Sequence, residues 1–88
     1  MPEITIYTTA ACPYCHRAKE LLRKKGLAFT EIRVDGNPRL RAAMSAKAGG
    51  RTTVPQVFFN DCYISDCDGL YDLERAGRLD ELLASFVP

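Results

Sequence analysis

The first third of the chain contains two kinds of hydrophobic pattern, one typical of a strand and the other typical of a helix. β-Branched and aromatic side chains fill residues 4–8, which predicts a short buried strand. In residues 13–25, Cys15, Ala18, Leu21 and Leu22 recur at three- and four-residue spacing, as the buried face of a helix does. Charged and polar residues fill the opposite, solvent-facing side of this predicted helix: His16, Arg17, Lys19, Glu20, Arg23 and Lys24.

A second strand is predicted in residues 27–34, with Ile32 and Val34 pointing inward. Gly26 lies between this strand and the preceding helix and is a plausible helix stop. A strand, a helix and a strand of these lengths form a βαβ unit. We therefore expect the two strands to be parallel, with a right-handed crossover.

A second helix is predicted after the turn at residues 35–37. Asn37 can cap it and Pro38 suits its first position. The helix should run to about residue 48, where two consecutive glycines end it, and should bury Leu40, Ala43 and Met44.

The last part of the chain predicts a hairpin and two helices. Residues 56–59 and 62–65 read as strands joined by a two-residue turn. Helical sequence follows in residues 67–76 and again around residues 79–86. The predicted fold class is α/β: one domain spanning residues 1–88, with a four-stranded mixed sheet and helices on both faces.

Composition narrows the functional classes. With 88 residues and a net charge of +1, the chain gives no reason to expect nucleic acid or an anionic membrane as partner. The first residues lack the features of an export signal, and no apolar run is long enough to span a bilayer, so we expect a cytoplasmic protein. Four cysteines in such a chain indicate redox catalysis or metal binding more than a disulfide framework.

Two of these cysteines lie where a strand gives way to a helix. Pro13 suits the first helical position, so Cys12 falls at the N-cap, facing free backbone N–H groups and the positive end of the helix dipole. That environment favours thiolate over thiol, and Cys15 lies one turn further on. This placement favours thiol–disulfide chemistry. A zinc site completed by Cys62 and Cys67 is the alternative, which their separate predicted positions disfavour.

Three segments together resemble the dithiol glutaredoxins: Cys-Pro-Tyr-Cys at residues 12–15, Thr-Val-Pro-Gln at residues 53–56, and Cys67-Asp68. The resemblance implies a thioredoxin-like fold with a cis peptide bond before Pro55. It also implies a thiol–disulfide oxidoreductase in which Cys12 attacks the substrate and Cys15 resolves the mixed disulfide. Glutathione would be the co-substrate, with no bound cofactor and no metal.

The resemblance further implies a glutathione groove beside Cys12. Tyr14 would form one wall. Next to Pro55, the main chain of Thr53 and Val54 would pair with the tripeptide as a short strand does.

At the other end of this groove, Cys67 and Asp68 would hold the γ-glutamyl group through helix N-terminal N–H groups and a carboxylate. Arg51 would meet the glycine carboxylate. The complete predicted glutathione-binding set is Tyr14, Arg51, Thr53, Val54, Pro55, Cys67 and Asp68.

The expected clients are disulfide-containing or glutathionylated proteins, with ribonucleotide reductase as a candidate, and the expected state is a monomer. Two alternatives stay open. One is a redoxin of the same fold that is reduced by thioredoxin reductase. The other is an iron–sulfur cluster carrier ligated by Cys12 and glutathione between two subunits, against which Pro13 argues because such members tend to have Gly or Ser there.

The sequence departs from the family pattern around the groove. Ser65 and Asp66 replace a usual pair of glycines, Gly69 replaces a frequent second acid, and Thr9 replaces a frequent lysine. Ser65 and Asp66 add bulk and negative charge, Gly69 removes a partner for the γ-glutamyl ammonium, and Thr9 removes a cation. We therefore expect weaker glutathione affinity and slower turnover with glutathione than in a typical member.

Overall fold

The computed structural model describes residues 2–86, and its elements follow the predicted order. The predicted domain bounds also include Met1, Val87 and Pro88, which lie outside the described residues. The elements are β1 (Ile4–Thr8), α1 (Pro13–Lys24), β2 (Thr30–Arg33), α2 (Pro38–Lys47), β3 (Gln56–Phe59), β4 (Cys62–Ser65), α3 (Cys67–Arg75) and α4 (Leu79–Ala84).

The four strands form one mixed sheet in the order β2-β1-β3-β4. Strand β1 is central: Tyr7 lies opposite Ile32 of the parallel β2 and opposite Gln56 of the antiparallel β3. Strands β3 and β4 form the predicted hairpin, in which Asn60 takes the positive φ of 54° that a tight turn needs. The predicted mixed sheet is confirmed.

Successive side chains along each strand point to opposite faces of the sheet, and helices cover both faces. On one face, Ile6 and Phe59 pack with residues of α1, α3 and α4, including Leu22 and Leu70. A smaller cluster on the other face lies under α2 and contains Tyr7, Val34, Met44, Ala48 and Phe58. Within residues 2–86, no helix combines the length and the apolar character that crossing a membrane requires.

Strand β2 is shorter than the predicted strand of residues 27–34. Helix α1 ends at Lys24, Gly26 follows with a φ of 71°, and the Leu27 N–H donates to the Leu22 carbonyl oxygen at 3.0 Å. Leu27 therefore completes the helix end and buries its side chain in the core, so the chain joins the sheet only at Thr30. The alternating apolar positions predicted the strand correctly but not where the turn before it ends.

Helix α2 buries a narrower stripe than predicted. Met44 and Ala48 are fully buried and Leu40 is half-buried, at a spacing of four residues along one line of the helix. Ala43 lies beside that line and is exposed, so the prediction that it is buried was wrong.

Candidate active site

Cys12 and Cys15 form a disulfide at the start of α1. Cys12 is the N-cap, as predicted, and its sulfur accepts a hydrogen bond from the Cys15 backbone N–H at 3.1 Å. Pro13 occupies the first helical turn, where its missing N–H costs no hydrogen bond. Cys12 keeps 8% of its surface exposed whereas Cys15 has none, so Cys12 is the more accessible of the two to a reagent from outside.

The segment before β3 lies against this disulfide. The Val54–Pro55 peptide bond is cis, which confirms the predicted conformation, and the Val54 carbonyl oxygen lies 3.8 Å from the Cys12 sulfur. The fully buried Gln56 donates through Nε2 to the Thr53 carbonyl oxygen at 3.0 Å and to Thr53 Oγ1 at 3.2 Å. Gln56 is therefore a supporting residue that the motif alone did not reveal.

A small cleft of about 100 Å³ opens beside the disulfide. It brings together six of the seven residues predicted to bind glutathione, and it adds one residue, Asp66, that was not in that set. The lining consists of Tyr14, Thr53, Val54, Pro55, Asp66, Cys67 and Asp68. Residues from three separate stretches of sequence thus converge on one concave surface, and glutathione binding there stays a prediction.

Arg51, the seventh predicted residue, is not part of the cleft lining. Its Nη1 donates to the Ala48 carbonyl oxygen at 2.9 Å, and its guanidinium lies 5.0 Å from the centre of the Tyr63 ring. In this arrangement the Arg51 side chain caps the C-terminal end of α2. Its expected contact with a glycine carboxylate stays a prediction.

The far wall of the cleft is the N-terminus of α3. Asp66 caps this helix, and its Oδ1 accepts from the Gly69 backbone N–H at 2.9 Å. The carboxylate therefore has a structural partner, and the backbone N–H groups of Cys67 and Asp68 are left at the helix start. Gly69 is also required sterically, because a Cβ built there would lie 2.7 Å from the Cβ of Ser65. Three of the residues that depart from the family pattern are thus in mutual contact.

The two remaining cysteines occupy different environments. Cys67 is buried and lines the cleft, and burial raises the pKa of its thiol above the ordinary value. Cys62 is exposed on β4. Both are free thiols, so neither is paired with the other.

A polar network lies beneath the loop that leads to Cys12. The Thr8 hydroxyl donates to Glu31 Oε2 at 2.6 Å, and Lys19 Nζ donates to the same oxygen at 2.9 Å. The Lys19 side chain is only 11% exposed, so its predicted place on the solvent-facing side of α1 was wrong. Hydrogen bonding from Thr8, with the help of the Lys19 ammonium, lowers the pKa of Glu31 despite partial burial. The network ties β1, α1 and β2 together at the active-site end of the sheet.

The fold and this site define a class of protein. A disulfide between an N-cap cysteine and the cysteine one turn later, at the carboxyl end of a central strand, can exchange with other thiols and disulfides. The chain is thus a thiol–disulfide oxidoreductase with a redox-active disulfide.

Comparison with known proteins identifies the family within that class. The Glutaredoxin family profile matches residues 4–64. A glutaredoxin of Pseudomonas aeruginosa is 55% identical over 85 residues, covering 97% of this chain and 100% of that protein. Glutaredoxin 3 of Escherichia coli K12 is 52% identical over 83 residues, covering 94% of this chain and 99% of that protein. The chain belongs to the glutaredoxin family.

Solved structures of glutaredoxins have the same fold as this chain. The solution structure of a glutaredoxin from Brucella melitensis has a TM-score of 0.82 and 48% identity, covering 94% of this chain and 89% of that one. A complex of buckwheat glutaredoxin with glutathione has a TM-score of 0.83 and 28% identity, covering 96% of this chain and 78% of that one. The fold is therefore thioredoxin-like, as the sequence predicted.

Proposed function

We propose that the protein uses glutathione to reduce protein disulfides and protein–glutathione mixed disulfides through the Cys12/Cys15 pair. One observation carries the proposal: Cys12, the more accessible cysteine of the pair, lies against Val54 at the edge of a cleft in which a main-chain carbonyl, an aromatic side chain and a helix N-terminus converge. These groups suit a peptide that carries its own carboxylate.

Cys12 is the attacking residue. In the reduced protein its thiolate accepts the Cys15 N–H and attacks one sulfur of a substrate disulfide. A Cys12–substrate disulfide forms, and the other substrate sulfur leaves as a thiolate. Cys15 then loses its proton and attacks the Cys12 sulfur, which restores the Cys12–Cys15 disulfide and releases the second substrate thiol. Two electrons pass from the protein to the substrate.

Glutathione returns the protein to the dithiol. A glutathione thiolate attacks the Cys12 sulfur, and Cys15 leaves as a thiolate and takes up a proton. A second glutathione attacks the glutathione sulfur of the mixed disulfide, which releases oxidised glutathione and the Cys12 thiolate. With a glutathionylated protein, Cys12 attacks the glutathione sulfur directly, so only this last step is needed. These steps require glutathione as co-substrate and no bound cofactor.

The cleft provides the binding groups for glutathione. Tyr14 forms a wall, the main chain of Thr53 and Val54 pairs with the tripeptide, and the N-terminus of α3 takes the γ-glutamyl end. The buckwheat relative in complex with glutathione supports this assignment. Arg51 would have to leave the Ala48 carbonyl oxygen to reach the glycine carboxylate.

The test is the reduction of hydroxyethyl disulfide by glutathione, coupled to glutathione reductase, with the parent protein, Cys12→Ser and Cys15→Ser. We expect Cys12→Ser to be inactive and Cys15→Ser to keep a good part of the activity, because glutathione itself can resolve the mixed disulfide. If the parent protein is inactive in this assay but is reduced by thioredoxin reductase and NADPH, the proposed role of glutathione is wrong and that reductase is the electron donor.

The physiological setting follows from the same chemistry. A dithiol maintained by glutathione functions in a reducing compartment, so we propose a cytoplasmic protein. The clients are proteins with accessible disulfides or glutathionylated cysteines, and ribonucleotide reductase is a candidate. The whole of residues 1–88 is proposed to function as one monomeric domain. Gel filtration in both redox states checks the monomer.

A further inference from the structure

Arg17 lies on the solvent-facing side of α1, next to the cleft. Its guanidinium carbon is 6.0 Å from the centre of the Tyr14 ring and 5.5 Å from the centre of the Tyr71 ring. Tyr14 is a wall of the cleft and is 54% exposed, so the face that Arg17 shares with it is open to a ligand. Contact with two rings restricts the guanidinium before any ligand arrives.

The Arg17 guanidinium has no polar partner among residues 2–86, for it takes part in none of the side-chain hydrogen bonds or ion pairs formed there. Arg33 and Arg41 differ from it, because Arg33 pairs with Asp35 and Arg41 donates to the Thr52 carbonyl oxygen. Arg17 thus keeps its full set of donors for a ligand.

The charged side chains at the α3 end of the cleft are of both signs. Asp66 and Asp68 belong to its lining, and no lysine or arginine does. Arg17 is close enough to this wall to act on Cys67, where its positive charge lowers the thiol pKa against the larger raising effect of burial. Because Tyr71 belongs to α3 and Arg17 acts on Cys67, the free cation and the two carboxylates lie together at the α3 end of the cleft.

We propose that Arg17, together with the N-terminal N–H groups of α3, binds the α-carboxylate of the γ-glutamyl group of glutathione, while Asp66 and Asp68 face its α-ammonium. This inference rests on the proposed function and deepens it. The γ-glutamyl end of glutathione has both charges, whereas the glycyl end has a carboxylate alone, which two neighbouring carboxylates would repel. Charges of both signs at the α3 end therefore fix the direction in which the tripeptide lies, and Arg17 supplies the cation that the lining lacks.

The test compares two thiols on two variants. Cysteinylglycine is glutathione without its γ-glutamyl group. Arg17→Gln removes the cation but keeps the Tyr71 hydroxyl bond, whose acceptor is the Arg17 backbone oxygen at 3.0 Å. Arg23→Gln is the matched control, because Arg23 is on the same helix and lies 5.5 Å from the Phe29 ring centre, outside the cleft. Stopped-flow measurement gives the rate of reduction of the Cys12–Cys15 disulfide by each thiol.

We expect Arg17→Gln to slow reduction by glutathione about three- to tenfold, the value of one charge-assisted contact at a partly exposed site. Reduction by cysteinylglycine should change less than about twofold, and Arg23→Gln should change neither rate. Arg17→Lys should recover part of the loss. The same order should appear in the equilibrium constant for the Cys12–glutathione disulfide trapped in a Cys15→Ser background.

Three results would overturn the assignment. Equal losses with both thiols would mean that Arg17 acts only on the disulfide through its field. A parent that prefers glutathione, together with an unchanged Arg17→Gln, would remove Arg17 from the site and leave the proposed function intact. A parent reduced by both thiols at the rates of free thiols in solution would overturn this inference and glutathione recognition together.

Discussion

The contact between Ser65 and Gly69 predicts that a single added methyl group destabilises the protein. In most helices, replacing glycine by alanine stabilises the helix by about 0.5–1 kcal/mol. Here the new Cβ would lie 2.7 Å from the Cβ of Ser65 and 3.3 Å from the Asp66 carboxylate oxygen. The first distance is far below van der Waals contact, so β4 and α3 must move apart.

Forcing an extra methyl group into a packed site costs about 1–3 kcal/mol. A separation of 2.7 Å places the cost in the upper part of this range, about 2–3 kcal/mol, so the expected net loss for Gly69→Ala after the gain in helix propensity is about 1–2.5 kcal/mol. Because the clash is with the Cβ of Ser65, removal of that atom should relieve it. Ser65→Gly combined with Gly69→Ala should therefore show a coupling free energy of at least about 1 kcal/mol.

Ser65→Ala is the matched control, because it removes the hydroxyl and keeps the Cβ. Its combination with Gly69→Ala should be additive within about 0.5 kcal/mol. The free energy of unfolding is measured by urea titration, with the Cys12–Cys15 disulfide kept oxidised in every variant. A Gly69→Ala protein as stable as the parent, or rescue by Ser65→Ala equal to that by Ser65→Gly, would refute the steric reasoning.

Three further predictions concern the α3 cap, the Glu31 network and the two free cysteines. Asp66→Ala should lose about 1 kcal/mol in urea titration because the α3 cap is lost, whereas Asp66→Asn should stay near the parent. The pKa of Glu31 is lowered by folding, so its contribution to stability is present above the unfolded-state pKa and is lost as the pH falls through the folded-state pKa. The free energy of unfolding, measured from pH 6 to pH 3, should therefore fall less steeply for Glu31→Gln than for the parent, and equal slopes would contradict this. Lys19→Met should lower the free energy of unfolding by about 1 kcal/mol at neutral pH. In a variant that lacks Cys12 and Cys15, iodoacetamide should modify Cys62 before Cys67, because burial and a raised pKa slow the reaction of Cys67. Mass spectrometry gives the order of modification, and the reverse order would contradict this prediction.

The sequence allowed the elements to be predicted because their ends have local signals. Pro13 and Pro38 mark first helical turns, and Cys12 and Asn37 cap those helices as expected. The start of β2 could not be placed, because it depends on where Leu27 packs after the helix end. Local chemistry determines where these two helices begin, while packing of the core determines where β2 begins.

The site was predictable only where motifs repeat a family pattern. Those motifs identified six of the residues that line the cleft, but not the charge pattern around it. The burial of Lys19 depends on Glu31, which is twelve residues away, and the need for glycine at position 69 depends on Ser65 in another element. Nothing in either neighbourhood of the sequence reveals these partners, since both contacts arise from tertiary packing.

Cys12 has two roles that share one atom, for the sulfur that reacts is also the acceptor that caps α1. A thiolate accepts the Cys15 N–H more strongly than a disulfide sulfur does. Reduction therefore tightens the first turn of α1, and every catalytic cycle loosens and re-forms that cap. Hydrogen exchange at the Cys15 amide therefore reports the redox state of the protein. It should slow when the protein is reduced, and it requires neither a label nor a substrate.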